Sequence, residues 1–327
     1  MRINNLTLSI AATALGLLIA EGILRVFPEA AGKEYANGML SRYSPYPDGV
    51  YWRWPGDRSV VNLMKPDYTT TMYGNGYRWT HQTDRRGFRN AVSRDRVDVI
   101  LLGDSMIYGQ GVEIDQTVGH YLEFRSGMTV ANLARQGDCV YEHLRMLGSA
   151  GLPLRPRIAI HFFFLNDIRD LLYAHPLDDL ELFLKAIEDG APFSPLPEFP
   201  GKDVEPPSPP WSKRIFLLGA FRYWFGEVEM IPDYTDEELE FGWQTTERLM
   251  RQMVRIARDN DVRFILAPIT DDYRQFKRLQ SFAASNRIDF VDTRSVFATK
   301  WSRLPGDGHL SPRGAAALAN LVADHIR

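Results

Sequence analysis

From residue 97 onward, short apolar runs alternate with longer stretches of helical periodicity, and this alternation restricts the chain to a mostly parallel sheet with helices on both faces. Five strands are expected, at residues 97–102, 129–133, 158–165, 262–269 and 288–291, the first reading VDVILL. The clearest helices between and after them fall at 117–125, 140–148, 237–259, 272–286 and 312–326. The last begins with Ser311 as a natural cap and Pro312 in the first turn, a strong start signal. The expected fold is α/β: a three-layer α/β/α, flavodoxin-like parallel five-stranded sheet in the order 2-1-3-4-5, where ligands gather at the carboxyl edge of the strands.

Residues 6–20 (LTLSIAATALGLLIA) carry no charge and follow Arg2. Gly22, Ile23, Leu24, Val26 and Phe27 extend the apolar stretch, interrupted by Glu21 and Arg25. The segment reads as one that meets a membrane. An uncleaved signal anchor is preferred to a cleaved signal peptide, because no small-x-small site precedes a polar start. The expected units are therefore a membrane helix at 1–28, a linker and β-rich appendage at 29–95, and a main domain at 96–327. Within the second unit, 28–42 reads as linker, and short β-like runs follow: VYWRW at 50–54, SVVNLM at 59–64, YTTTM at 68–72 and YRWTH at 77–81. Their aromatics suit either sugar stacking or packing, and packing is the commoner use. Residues 171–235 interrupt the main domain with half of the chain's 20 prolines and an apolar run, IFLLGAFRYWF, at 215–225. That run suits a cap over a site, an acyl-binding wall, an interfacial helix, or a helix buried against the main domain.

With 327 residues, 45% of them hydrophobic, the chain can bury a full core. A net charge of −3 and the lack of a basic run interleaved with aromatics exclude a nucleic-acid partner. Cys139 is the only cysteine, which rules out an internal disulfide and a cysteine-rich metal site. The 7 histidines are scattered without paired ligand spacing, so neither metal nor cofactor is expected.

The first strand runs directly into Gly103, Asp104 and Ser105, with Gly109 four residues on. A serine at the carboxyl end of a strand, turning into a helix, is where an α/β enzyme displays a nucleophile. A hydroxyl needs a base to take its proton, and an imidazole does so best when a carboxylate fixes its tautomer. His309 and Asp307, on the loop before the last helix, fill those roles. An oxyanion would need donors, and three candidates stand at strand ends: the N–H of Ser105, the N–H of Gly137 after the second strand, and the side-chain amide of Asn166 after the third. Each alone has a plainer reading. Gly137 suits a turn, Asn166 with Asp167 a helix cap, His309 and Asp307 a surface loop, Asp104 a bond within the turn, and Cys139 a small buried filler.

Taken in chain order, Ser105, Gly137, Asn166 and His309 resemble the four blocks of the SGNH (GDSL-like) hydrolase superfamily, over roughly residue 84 to the end. The resemblance implies Ser105 as nucleophile, Gly137 and Asn166 as oxyanion donors, and His309 as base. The lead-in TDRRGFRN at 83–90, together with the EGILRVF that ends the apolar segment, is similar to membrane-anchored bacterial members, among whose relatives are enzymes that acetylate envelope or secreted polysaccharides. Two departures stand. Phe164 occupies a position where the family usually has glycine, and Gly306 stands where its aspartate usually lies three residues before the histidine. Asp307, two residues before, has instead the acid-x-His spacing of the alginate-acetylating branch, where the pair precedes the serine.

These readings imply a serine ester hydrolase acting through a Ser105–His309–Asp307 triad on a carbohydrate or small acyl ester, deacetylase-like. It would be anchored in a bacterial inner membrane with the catalytic domain outside the cytoplasm, or secreted after cleavage. Alternatives are an O-acetyltransferase of an envelope or secreted polysaccharide with the same triad, a lysophospholipase-like lipid esterase, and a non-catalytic glycan-binding envelope protein. The partners implied are an ester substrate, with an acylated glycan as one candidate, and a membrane through the N-terminal helix.

Overall fold

Four consecutive apolar residues, Val99–Leu102, form a strand in which every side chain is buried. Successive strand residues point to opposite faces, so cover is needed on both sides of the sheet, and the helices provide it. Each such side chain contributes about 1.5–3 kcal/mol of burial. The computed structural model describes residues 5–41, 49–53, 62–175, 177–200, 215–225 and 233–327. The first residues of the apolar segment's flank, Trp54 and residues 59–61 of the expected strands, and residues 201–214 and 226–232 of the insertion lie outside the described residues.

In chain order the elements begin with α1 (Asn5–Val26), a 3₁₀ turn (Pro28–Ala31) and α2 (Lys33–Leu40). Two hairpins follow, β1 (Tyr51–Arg53) with β2 (Asn62–Met64), and β3 (Thr69–Gly74) with β4 (Tyr77–Gln82). The main domain runs β5 (Val99–Leu102), α3 (Ser105–Tyr108), α4 (Val118–Ser126), β6 (Val130–Asn132), α5 (Val140–Met146), β7 (Ile158–Phe164), α6 (Asp167–Ala174), α7 (Leu177–Glu188) and α8 (Phe216–Phe225). It closes with α9 (Asp236–Asp259), β8 (Arg263–Ile269), α10 (Tyr273–Asn286), β9 (Asp289–Phe290), α11 (Arg294–Phe297) and α12 (Pro312–Ile326).

The main sheet is parallel, ordered β6-β5-β7-β8-β9, which is the expected 2-1-3-4-5. Helix starts follow the capping residues. Thr117, Thr235, Asp272 and Ser311 each accept a backbone N–H of the helix they precede, and Thr235 forms a full capping box with Glu238. The helix after Cys139 is shorter than its pattern suggests. It gives way at Leu147 to a π turn (Leu147–Gly151), one residue wider per turn than the periodicity assumes.

Two expectations about the N-terminal third change. The segment read as linker is largely helical: α2 buries Tyr35 and Ala36, which tie it to neighbouring elements. The hairpins, expected as an appendage, share the main core: Val50, Tyr51, Trp52, Leu63, Met64, Met72, Trp79 and Phe88 belong to the same apolar cluster as β5 and β7. Packing, not exposure, is therefore what these aromatics do. The lead-in loop is anchored equally firmly, since the buried Arg89 guanidinium donates to the carbonyls of Thr80, Tyr108, Gly109 and Val112.

In the insertion, α7 buries Leu180, Leu184 and Ile187 in the main core. Helix α8 instead joins α1 and α2 in a separate small cluster around Leu24, Ala31, Tyr35 and Ala220. One helix, Leu6–Val26, is long and apolar enough to cross a membrane, and none of its most apolar window is covered by the rest of the chain.

Candidate active site

Ser105 opens α3 immediately after β5. Asp104 caps that short helix, accepting the Met106 N–H at 2.9 Å, which is the turn-bonding role expected of it. As the first residue of a helical turn, Ser105 has a backbone N–H with no intrahelical acceptor. The helix must stop after four residues so that the chain can turn back under the serine. Gly109 ends it at φ +87°, where a Cβ would also lie 2.6 Å from Thr117 Cγ2.

The loop carrying the acid and base folds on itself. Leu304 N–H donates to the His309 carbonyl at 2.7 Å, and Ser311 N–H to the Ser302 carbonyl at 2.9 Å. This brings His309 Nε2 to 2.9 Å from Ser105 Oγ, across 204 residues of sequence. His309 Nδ1 lies 2.8 Å from Asp307 Oδ1. A carboxylate only accepts, so Nδ1 carries the proton and Nε2 faces the serine with its lone pair. The Asp307 side chain is fully buried.

The same Asp307 Oδ1 accepts a second hydrogen bond, from Asn75 Nδ2 at 2.7 Å. Asn75 sits at the β3–β4 turn with φ +51°, and Asn37 of α2 holds it on both sides: Asn37 Oδ1 accepts the Asn75 N–H at 2.7 Å, and Asn37 Nδ2 donates to Asn75 Oδ1. Tyr77 Oη adds a bond to the Pro305 carbonyl at 2.8 Å. The hairpin thus clamps the acid–base loop. Nothing in the sequence singled out Asn37 or Asn75; the Asn-Gly pair at 75–76 signals a tight turn but not its partner.

Ser105 and His309 open onto a cavity of about 560 Å³ that Gly137 and Asn166 also line. Gly137 takes φ +75°, in keeping with the turn reading, and a Cβ added there would meet nothing within 4 Å. Asn166 precedes α6 without a side-chain capping bond, which removes the cap reading. Its Nδ2 donates to Asp170 Oδ2 at 2.7 Å, and the same amide acts on the Asp104 carboxyl, favouring its charged form. Further walls come from Tyr51, Gln110 and Gln136, which sequence reasoning did not select. They form a connected polar rim: Gln136 Nε2 donates to Gln110 Oε1 at 3.2 Å, and Tyr51 Oη to the Gln136 carbonyl at 3.3 Å. Phe164, at the departure from the glycine pattern, is half-buried against the core and is not among the residues lining the cavity.

Beneath the cavity lie several buried acids. Burial pushes Asp104 up to about 6, against the opposing pull of the Met106 N–H and His309. Burial, with the charges of Asp104 and Glu142, pushes Asp170 up to about 7. Burial raises Asp167 as well. Glu142 behaves differently: burial pushes it up, but the hydrogen bond and charge of His175, with donors from Cys139, outweigh that and hold it at about 2. Cys139 is the buried filler expected beside the site, its thiol raised by burial and by Glu142.

Among the described residues, two buried groups bring possible metal ligands within 4.8 Å of one another: Cys139, Glu142 and His175, and His143, His161 and Asp167. In the first, Glu142 is already engaged by the Cys139 N–H at 3.0 Å and by His175 Nε2 at 2.7 Å. In the second, the two imidazoles hydrogen-bond each other at 3.1 Å. The first is accounted for as internal polar packing, whereas in the second His143 Nε2, His161 Nδ1 and Asp167 Oδ1 are buried without a hydrogen-bond partner among the described residues.

Fold and site together define a parallel α/β chain bearing a hydrogen-bonded serine, histidine and aspartate at the carboxyl edge of its sheet. No family model and no curated protein matches the chain. Among solved structures, it is similar to a lipase/acylhydrolase from Enterococcus faecalis, at 13% identity over 70% of this chain and 94% of that one, with a TM-score of 0.41. A GDSL-like lipase from Bacteroides thetaiotaomicron VPI-5482 gives 13% identity, 73% and 93% coverage and a TM-score of 0.41. A catalytic mutant of an acetylxylan esterase from Geobacillus stearothermophilus gives 15%, 70%, 94% and 0.39.

Proposed function

We propose that this chain is a serine ester hydrolase, a carboxylic ester hydrolase of the SGNH type, that cleaves a small acyl or carbohydrate ester. The observation that carries the reading is the continuous line from Asp307 Oδ1 through His309 to Ser105 Oγ, with bonds of 2.8 and 2.9 Å. His309 Nε2 takes the hydroxyl proton as Ser105 Oγ attacks the ester carbonyl, and the carbonyl oxygen becomes an oxyanion received by the Ser105 and Gly137 N–H groups and the side-chain amide of Asn166. His309 then protonates the departing alkoxide, leaving an acyl-enzyme. A water, deprotonated by the same imidazole, releases the acid and restores the serine.

The polar rim of Tyr51, Gln110 and Gln136 supports a small acyl group or a sugar ester over a long alkyl chain, because a long chain would displace water from these polar side chains whereas a sugar can hydrogen-bond to them. Helix α1 supports attachment to a bacterial inner membrane with the catalytic domain on the extracytoplasmic face. The test is labelling by a fluorophosphonate. Wild type should acquire one adduct on Ser105, and the folded Ser105→Ala variant none. Turnover of p-nitrophenyl acetate should exceed that of the palmitate ester. Well-folded wild type that takes no adduct would overturn the reading, and preference for palmitate would overturn the substrate class.

A further inference from the structure

Among the described residues, helix α8 carries an aromatic face that is at least half exposed, and its mooring explains where that face lies. The first turn of α8 leaves backbone N–H groups unpaired, and here the acceptor is Glu21, near the end of the apolar helix α1. Its carboxylate receives the N–H of Phe216 at 3.1 Å and of Leu217 at 2.7 Å, a bond spanning nearly 200 residues of sequence. Arg25 pairs with Glu21 at 2.7 Å and lies over the Phe216 ring. Tyr35 Oη donates to the Phe216 carbonyl at 2.6 Å, and Trp224 Nε1 to the Ala31 carbonyl at 3.3 Å. One side of α8, centred on the buried Ala220, is thus locked to α1 and α2.

Among the described residues the other side is open. Phe221 is 50% exposed, Trp224 53% and Phe225 80%, and the two phenylalanine rings stack at 5.8 Å on one face of the helix. The end of α1 beside them is bare in the same way, with Ile23, Val26 and Phe27 all at least half exposed. At about 1.5 Å per residue, Glu21 lies roughly 22 Å along α1 from Leu6, so the Glu21–Arg25 pair falls toward one boundary of a hydrocarbon layer about 30 Å thick. A helix fixed at that level, with two phenylalanines turned outward and a half-exposed tryptophan at the edge of its moored side, has the composition of an interfacial element.

We propose that α8 is a lipid-docking helix. It lies at the membrane boundary with Phe221, Trp224 and Phe225 in the acyl–headgroup region, and it sets the height and tilt of the main domain over the bilayer. The inference rests on α1 as a membrane helix and is independent of the esterase reading.

The test uses the full-length chain in phosphatidylcholine vesicles, with and without lipids brominated on their acyl chains. The emission of Trp224 is obtained by subtracting the spectrum of a Trp224→Phe variant. Brominated lipid should quench that component at least twofold while aqueous iodide leaves it unchanged, and a Phe221→Asp/Phe225→Asp variant should reverse the two responses. Both phenylalanines are exposed, so the double variant should keep the wild-type circular dichroism. If the protein floats with the vesicles yet Trp224 responds to iodide, the proposal fails while the anchor stands. Trp224 shielded from both quenchers would mean that protein, such as a second copy, covers the face, and would also overturn it. Failure to float with the vesicles would remove anchor and proposal together, with esterase activity unaffected.

Discussion

Asn75 Nδ2 donates a 2.7 Å hydrogen bond to the same Asp307 oxygen that receives His309 Nδ1. The orientation of the acid is therefore set by a hairpin outside the parallel sheet. The expected consequence is that Asn75→Gly, which preserves the φ +51° turn while deleting the donor, lowers kcat about 10- to 100-fold, as expected for one hydrogen bond to a charged group. KM should change little, and steady-state assays with p-nitrophenyl acetate at several pH values will separate the two. A variant with raised KM and normal kcat would place Asn75 in substrate binding instead.

Asp307→Asn keeps the shape but offers His309 an amide that can donate, which permits the wrong tautomer. Activity should fall on the order of 10⁴-fold, by the behaviour of comparable triads. Fluorophosphonate labelling of Ser105 should slow in parallel, which stopped labelling reactions will measure.

Arg89→Ala would remove the side-chain donor from four backbone carbonyls, those of Thr80, Tyr108, Gly109 and Val112, the last three belonging to buried residues. A destabilisation of at least about 3 kcal/mol is expected from several unsatisfied groups, read from denaturant midpoints. Arg89→Lys should recover little of it, because an ammonium lacks the planar fork that reaches all four.

Asp170 has its folded pKa raised from 3.8 to about 7 by burial first and by Asp104 and Glu142 next. A raised acid binds its proton more tightly when folded, so it costs stability where it is ionised, and the cost grows as pH rises from about 4 through 7. Asp170→Asn should therefore raise Tm at pH 8 and by clearly less at pH 5. Equal shifts at both values would mean that the carboxyl is not protonated in the fold at pH 5.

The strand and helix pattern was legible because it depends on short-range physics. The alternation from residue 97, the caps at Thr117, Asp272 and Ser311, and the strand order all follow from periodicity, capping and the rules of parallel sheets. The meeting of Ser105 with His309 was legible for the same reason, since both stand at the carboxyl edge that such a sheet creates. The helicity of α2 was hidden by its weak pattern of eight residues, and the hairpins looked like an appendage because nothing local reveals which core an aromatic joins.

By itself, the sequence determined the layer architecture, the turn that exposes Ser105 and the apolar length of α1, each decided by neighbouring residues along the chain. Only the tertiary structure decided that Asn37 and Asn75 orient Asp307, that Glu21 caps α8, and that burial keeps Asp104 and Asp170 above the usual carboxylate range. These depend on desolvation and on hydrogen bonds between residues far apart in the chain, whose energies exist only once the intervening segments have folded.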